Sequence, residues 1–211
     1  NCGTTTMCGT SMASPVVAGG AALVKQYFED GYYPTGAPVA SNSLTPSGSL
    51  LRAMLANSAV DMTSVSNYPS KTEGWGRILL DNSVFLKGDA RNMKMVDVGH
   101  TRGISHGEIR SMKVNIPSAR SEMRVTLCFA DEPGTAFSNL PVVNDLNLIA
   151  IAPDGTEYRG GKQDSQNGGA STPNPTGFDE LNSLEQIIIY NPMAGRWTFA
   201  VYGLDVPVGP Q

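Results

Sequence analysis

The hydrophobic pattern of this sequence changes its period once, near residue 90. Before that point apolar residues recur at helical spacing, and after it they alternate with polar residues in the period of two that a half-buried strand requires. The alternation is clearest at 112–116, 123–129 and 197–202. One type of secondary structure cannot satisfy both patterns. We therefore expect two domains, residues 1–90 and 91–211, with the boundary between Lys87 and Arg91.

The first part predicts two helices. One runs from Ser14 to about Asp30 and opens with a run of valines, alanines and leucine, so it is apolar on nearly all sides and is expected to be buried. The second runs from Leu50 to about Ala59, and either Ser47 or Ser49 is placed to cap its N-terminus.

The second part predicts an all-β antiparallel sandwich. Turn signals rich in proline and glycine separate its alternating segments at 133–134, 153–155 and 192–195. A long stretch rich in glycine and asparagine, residues 160–177, predicts a loop whose length indicates either function or disorder.

Composition excludes several function classes. The chain has 211 residues, a net charge of −4 and no run of lysine or arginine, so a nucleic-acid partner is not expected. Its longest apolar stretch, residues 15–24, is shorter than the roughly 18–20 residues that span a bilayer. The first residues show no signal segment, and localisation therefore has to be inferred from elsewhere.

The sequence contains three cysteines. Cys2 and Cys8 can pair across a short loop, and Cys128 is expected to pack as an apolar group. The cysteines therefore leave the redox compartment undetermined.

The segment Gly9-Thr10-Ser11-Met12-Ala13-Ser14-Pro15 stands directly before the first helix. A hydroxyl at this place suits a nucleophile, because the free N–H groups and positive end of the helix stabilise an oxyanion, and the N–H of Ser11 itself can point at that charge. Gly9 lets a substrate backbone approach closely. Two other interpretations compete. Thr10 or Ser11 can be a plain helix cap. An α/β-hydrolase would use a Gly-x-Ser-x-Gly elbow, which Ala13 in the final position rules out.

The longer string from Gly9 to Gly19, Gly-Thr-Ser-Met-Ala-Ser-Pro-Val-Val-Ala-Gly, resembles the surroundings of the nucleophile in subtilisin-like serine proteases. The second helix followed by Gly74-Trp75-Gly76-Arg77 is similar to the end of a subtilase catalytic domain. The segments 143–148, 152–156 and 206–211 resemble the jelly-roll or β-barrel domain that follows the catalytic domain in some alkaline bacterial subtilases. The fold class implied is the mainly helical C-terminal fragment of an α/β catalytic domain, followed by an antiparallel jelly-roll sandwich.

The resemblance implies a secreted serine endopeptidase that cleaves polypeptides through an acyl-enzyme on Ser11, with Gly9 and Thr10 in the substrate-binding region. Subtilases place the aspartate, the histidine and the oxyanion-hole asparagine before the serine, so here all three would precede residue 1. His100 and His106 are expected to be exposed linker residues. The fragment alone is then expected to be inactive. The alternative is a non-catalytic binding or stabilising sandwich of a pseudoprotease.

Three further expectations follow from the resemblance. No cofactor is required, but calcium is possible, with Asn147, Asp164 and Asp179 as candidate ligands, because the related sandwiches bind this hard cation with carboxylate and amide oxygens. The sandwich is expected to lack its last strand, which would leave an unpaired edge. The helices of the first part, expected to pack on a sheet formed by upstream chain, should be weakly ordered or rearranged without it.

Overall fold

The computed structural model describes residues 3–117 and 121–211. Two α-helices and eight β-strands make up its longer elements, joined by short 3-10 turns at Ala40–Asn42, Leu80–Asn82, His100–Arg102 and Ser165–Asn167. In chain order they are α1 (Thr10–Glu29), α2 (Gly48–Ser58), β1 (Ile109–Ile116), β2 (Met123–Cys128), β3 (Asp145–Ile151), β4 (Glu157–Arg159), β5 (Gln163–Asp164), β6 (Ala170–Ser171), β7 (Leu184–Ile189) and β8 (Gly195–Asp205).

Both predicted helices form, with one shifted boundary. α1 begins at Thr10, four residues before the predicted start, because the carbonyl of Gly9 accepts bonds from the N–H groups of Met12 and Ala13 at 3.0 and 3.2 Å. Gly9 itself has φ +134°, a value that favours glycine. α2 is capped by Ser47, whose hydroxyl accepts a bond from the Leu50 N–H at 3.0 Å.

The strands pair antiparallel throughout. One sheet has the order β1-β8-β3-β4, and β2–β7 and β5–β6 form two-stranded sheets. The register of β1 on β8 sets Met112 opposite Phe199 and Val114 opposite Trp197. The predicted alternation thus places apolar side chains together on one face. The predicted long loop at 160–177 contains β5, a 3-10 turn and β6.

The strand pair β2–β7 lies in the middle of the molecule. One face packs against the four-stranded sheet through a core built on Leu148, Ile187, Ile189 and Trp197. The other face contacts α2, as the hydrogen bonds from Thr126 to Asn57 and from Gln186 to the Ala56 carbonyl show.

α2 also packs on α1, in a second core. Val24, Tyr27, Phe28, Leu50 and Met54 are its buried members, and Met93 and Met95 from the following segment cover it. α2 is therefore enclosed between the strand pair and α1, whereas the first half of α1 has no partner on its outer side.

The predicted fold class is wrong. The first part of the described chain is not mainly helical, because two α-helices are its only long elements and most regular structure in the molecule is antiparallel strand. The physical reason lies after α2. There Ser64, Asn67, Gly74 and Gly76 all have positive φ, which a helix cannot include, so this stretch forms turns and isolated bridges. The strand pair β2–β7 faces the four-stranded sheet, but sheets of four, two and two strands do not confirm the eight-stranded jelly roll that was expected.

Candidate active-site serine

Ser11 is the second residue of α1 and is exposed. The N–H groups of Thr10 and Ser11 have no acceptor among the described residues, as the first donors of a helix usually lack one. No acidic residue lies in this first turn, so nothing neutralises the positive end of the helix dipole there. A group that develops negative charge beside Ser11 would meet two free donors and a favourable field.

The helix around Ser11 is apolar and yet uncovered. Val16 is 63% exposed and Leu23 is 60% exposed, although both lie in the segment that the sequence predicts to be buried. Four residues after Val16 the helix packs tightly, since a Cβ on Gly20 would meet Ile78 at 3.0 Å and Leu55 at 3.5 Å. α1 is therefore closely packed at Gly20, while the apolar side chains of Val16 and Leu23 beside this contact stay exposed.

Neither histidine is bonded to Ser11. His106 is exposed and its Nδ1 lies 3.4 Å from Asp205 Oδ1 at the end of β8, and His100 is exposed in a 3-10 turn. No hydrogen bond of the described residues joins Ser11 to an acid or a base. A serine hydroxyl without a base is a weak nucleophile, and among the described residues Ser11 has free N–H donors beside it but no activating group.

The three candidate calcium ligands do not form one donor set. The side chain of Asp164 caps a 3-10 turn by accepting from the Gln166 N–H at 3.0 Å. Asn147 is 1% exposed and donates to Asp145 at 2.8 Å, and Asp179 accepts from Leu181 and Asn182. Within residues 3–117 and 121–211, no group of three histidine, cysteine, aspartate or glutamate residues is arranged to hold a metal ion. We derive no chemistry through calcium.

A group of carboxylates near β3 was not predicted from the sequence. Glu185 on β7 is fully buried, and burial raises its pKa to about 8, with the charges of Asp179 and Asp145 adding to the effect. Burial also raises the pKa of Asp145, to about 6. The one available signal was Glu185 itself, the one charged residue of β7.

The structure shows the surroundings of two cysteines and the character of the helices. Cys8 is exposed, and burial raises the pKa of the half-buried Cys128 thiol. The predicted pairing of Cys2 with Cys8 lies outside the described residues, because Cys2 is not among them. Among the helices of the described chain, none combines the length and the apolar character needed to cross a bilayer.

Comparison with known proteins agrees with the serine motif. Residues 1–76 match the model of the subtilase family. Three proteins of Dictyostelium discoideum are similar over 96% of this chain, the serine protease/ABC transporter B family proteins tagD, tagB and tagA, at 26%, 27% and 27% identity. The chain covers only 14%, 13% and 12% of their lengths. The resemblance to the subtilases is thereby confirmed.

Proposed function

We propose that this chain is part of a secreted serine endopeptidase and that Ser11 forms the acyl-enzyme. The observation that carries the proposal is the setting of Ser11: an exposed hydroxyl in the first turn of α1, next to Gly9 and to two free N–H donors, in a segment that matches the subtilase family. Secretion and polypeptide substrates belong to the proposal through that family.

In this proposal Ser11 Oγ attacks the carbonyl carbon of a peptide bond while its proton passes to a histidine. The oxyanion that forms is stabilised by the N–H of Ser11 and by the positive end of α1. The amine then leaves with a proton from the imidazolium. Water next attacks the carbonyl of the acyl group while the histidine takes its proton, and Ser11 Oγ leaves with that proton as the acid product is released. Gly9, which has no side chain, and Thr10 line the approach to Ser11.

The histidine, the aspartate and the oxyanion-hole asparagine are assigned to chain that precedes residue 1. Two observations support this assignment. Among the described residues His100 and His106 make no hydrogen bond with Ser11, and the exposed apolar side chains of Val16 and Leu23 on α1 are left for another part of the protein to cover. The small share of the relatives that this chain spans is consistent with a longer protein.

Labelling with a fluorophosphonate probe tests the proposal. The longer protein should be labelled at Ser11, and Ser11→Ala should abolish both labelling and peptide hydrolysis. Ser14→Ala is the matched control, because Ser14 is an exposed serine one helical turn further along the same helix. The 211-residue chain alone should not react. If the longer protein is unreactive while folded, the proposal is wrong.

The second candidate function is a non-catalytic stabilising module, with Ser11 a passenger. It is favoured by one observation, the hydrogen bonds that Arg124 and Gln186 of the strand pair make to the last turn of α2. The same labelling experiment separates the two functions, since a pseudoprotease would resist the probe in every form of the protein.

A further inference from the structure

Gln186 is a fully buried amide in the strand pair that faces α2. Its Nε2 donates one hydrogen bond to the carbonyl of Ala56 at 3.3 Å, in the last turn of α2, and another to Thr126 Oγ1 at 3.1 Å. Thr126 is the direct cross-strand partner of Gln186. Both N–H groups of the Gln186 side chain therefore donate hydrogen bonds, and these bonds join β7 to β2 and to α2.

The bonds continue from Thr126 to the helix. The hydroxyl of Thr126 donates to Asn57 Oδ1 at 3.1 Å, so it accepts from β7 and donates to α2. Residues two apart on a strand share a face. Arg124 accordingly lies beside Thr126 and donates to the carbonyl of Ala59, just past the end of α2.

These contacts add to the bonds at the C-terminal end of α2. The last carbonyls of a helix have no partner within it, and a glycine in the left-handed conformation often follows to satisfy them. α2 ends at Ser58 and is followed by Ala59, which has an extended backbone and whose N–H donates to the Ala56 carbonyl at 3.2 Å. A guanidinium also suits the negative end of a helix dipole. The strand pair therefore supplies further donors to this helix end from a distant part of the sequence.

One atom of the Gln186 side chain destabilises the fold at this position. Its Oε1 is buried and has no partner among the described residues. A buried polar atom without a partner destabilises a fold, and an apolar side chain of similar volume would avoid that cost. The contribution of Gln186 is therefore the placement of its two N–H groups, which an apolar residue cannot supply.

We propose that Gln186 and Thr126 are positioning residues that fix the end of α2 and, through it, the helix that carries Ser11. The link to α1 is the side chain of Leu55, whose Cδ2 lies 3.5 Å from the place a Cβ on Gly20 would take. The connection to catalysis rests on the proposed function of Ser11. The anchoring of α2 and α1 by the strand pair does not depend on that function.

Amide hydrogen exchange of the 211-residue chain tests the anchoring. Thr126→Val keeps the shape of the side chain and removes the hydroxyl, whereas Thr126→Ser keeps the hydroxyl. Each of Thr126→Val and Gln186→Leu removes two hydrogen bonds, and exchange in α2, and in α1 beside it, is expected to be about fivefold faster in both variants. Thr126→Ser should exchange as the unaltered chain does, and so should Gln166→Ala, which changes an exposed glutamine. Unchanged exchange in Thr126→Val and Gln186→Leu would overturn the inference.

The longer protein tests the connection to Ser11. Thr126→Val should lower kcat and the rate of fluorophosphonate labelling by a similar factor, leave KM unchanged, and be rescued by Thr126→Ser. Faster exchange with an unaltered labelling rate would refute the positioning role. An unlabelled parent protein would instead refute the function proposed for Ser11, and the exchange experiment would still decide whether the strand pair anchors the helices.

Discussion

Glu185 accepts a 2.6 Å hydrogen bond from the backbone N–H of Leu148, and this bond joins β7 to β3 inside the molecule. The other carboxylate oxygen, Oε1, is buried and has no partner among the described residues. The charged form of a carboxyl in such a place loses its hydration without full compensation. The neutral form is therefore favoured in the folded protein.

This preference predicts a stability that depends on pH. The folded-state pKa of Glu185, about 8, lies above the ordinary value of 4.5, so the folded protein holds this proton more tightly than the unfolded chain. The contribution is complete below pH 4.5 and is lost as the pH rises towards 8. Over that interval the free energy of unfolding should fall by up to about 1.4 kcal/mol per pH unit. Chemical denaturation at a series of pH values measures it.

Glu185→Gln keeps the shape of the side chain and cannot ionise, so most of this slope should disappear in that variant. Glu132→Gln, which changes a carboxyl that is not part of the group around Glu185, should retain the slope. Asp145, with a folded pKa of about 6, adds a smaller dependence of the same sign. Equal slopes in Glu185→Gln and in the unaltered chain would show that another group is responsible.

Gly160 and Glu185 are predicted to be coupled. A Cβ on Gly160 would lie 2.2 Å from Glu185 Oε2 and 2.6 Å from its Cβ, so Gly160→Ala should destabilise the fold by about 2 kcal/mol. In a chain that carries Glu185→Ala the same change should cost less, because the clash with Oε2 is gone while the one with Cβ at 2.6 Å remains. A double-mutant cycle measured by denaturation gives the coupling energy. Strictly additive effects would contradict the contact.

The features that were predicted correctly from the sequence are those determined by residues close together in the chain. Ser47 caps α2 as its position indicates, and the side chains of Trp197 and Phe199 pack together in the core as their period of two predicts. The predicted helix start, Ser14, was four residues too late, because Gly9 precedes the first turn and the helix begins at Thr10. Local patterns thus identified the elements and the environment of Ser11.

The features that the sequence did not predict depend on distant residues. Glu185 and Leu148 are 37 positions apart, and Gln186 and Ala56 are 130 apart. The segments predicted from alternation did not include β7, and a local pattern could not say that α2 would cover one of its faces. The exposure of Val16 was also missed, since an apolar helix predicts burial without naming the part of the protein that provides it.

Two glycines in the turn after α2 form a matched pair. Gly76 has φ +90°, and a Cβ there would lie 2.1 Å from the carbonyl oxygen of Val60. Gly74 has φ +61° and open space around it. Gly74→Ala should therefore cost only the backbone strain, about 1 kcal/mol, whereas Gly76→Ala should cost at least about 2 kcal/mol more and disrupt the bridge from Val60 to Arg77. Thermal unfolding of both variants compares them, and similar losses would exclude the backbone clash.

Asn144 holds the last residues of the chain. It is fully buried, its Nδ2 donates to the Val208 carbonyl at 2.7 Å and to Gln211 Oε1 at 2.8 Å, and its Oδ1 accepts from the Val208 N–H at 3.1 Å. Asn144→Ala leaves the Val208 groups without these partners, so we expect a loss of about 2–3 kcal/mol.

The loss should be concentrated in residues 206–211, because the backbone bonds between Gln211 and Ile104 depend on the same tail. Hydrogen exchange should then rise there first, with β8 affected less. Asn139→Ala, which changes an exposed asparagine that makes no hydrogen bond to residues 206–211, is the control. If exchange rises equally throughout the sheet, Asn144 stabilises the whole fold and is not a specific anchor of the tail.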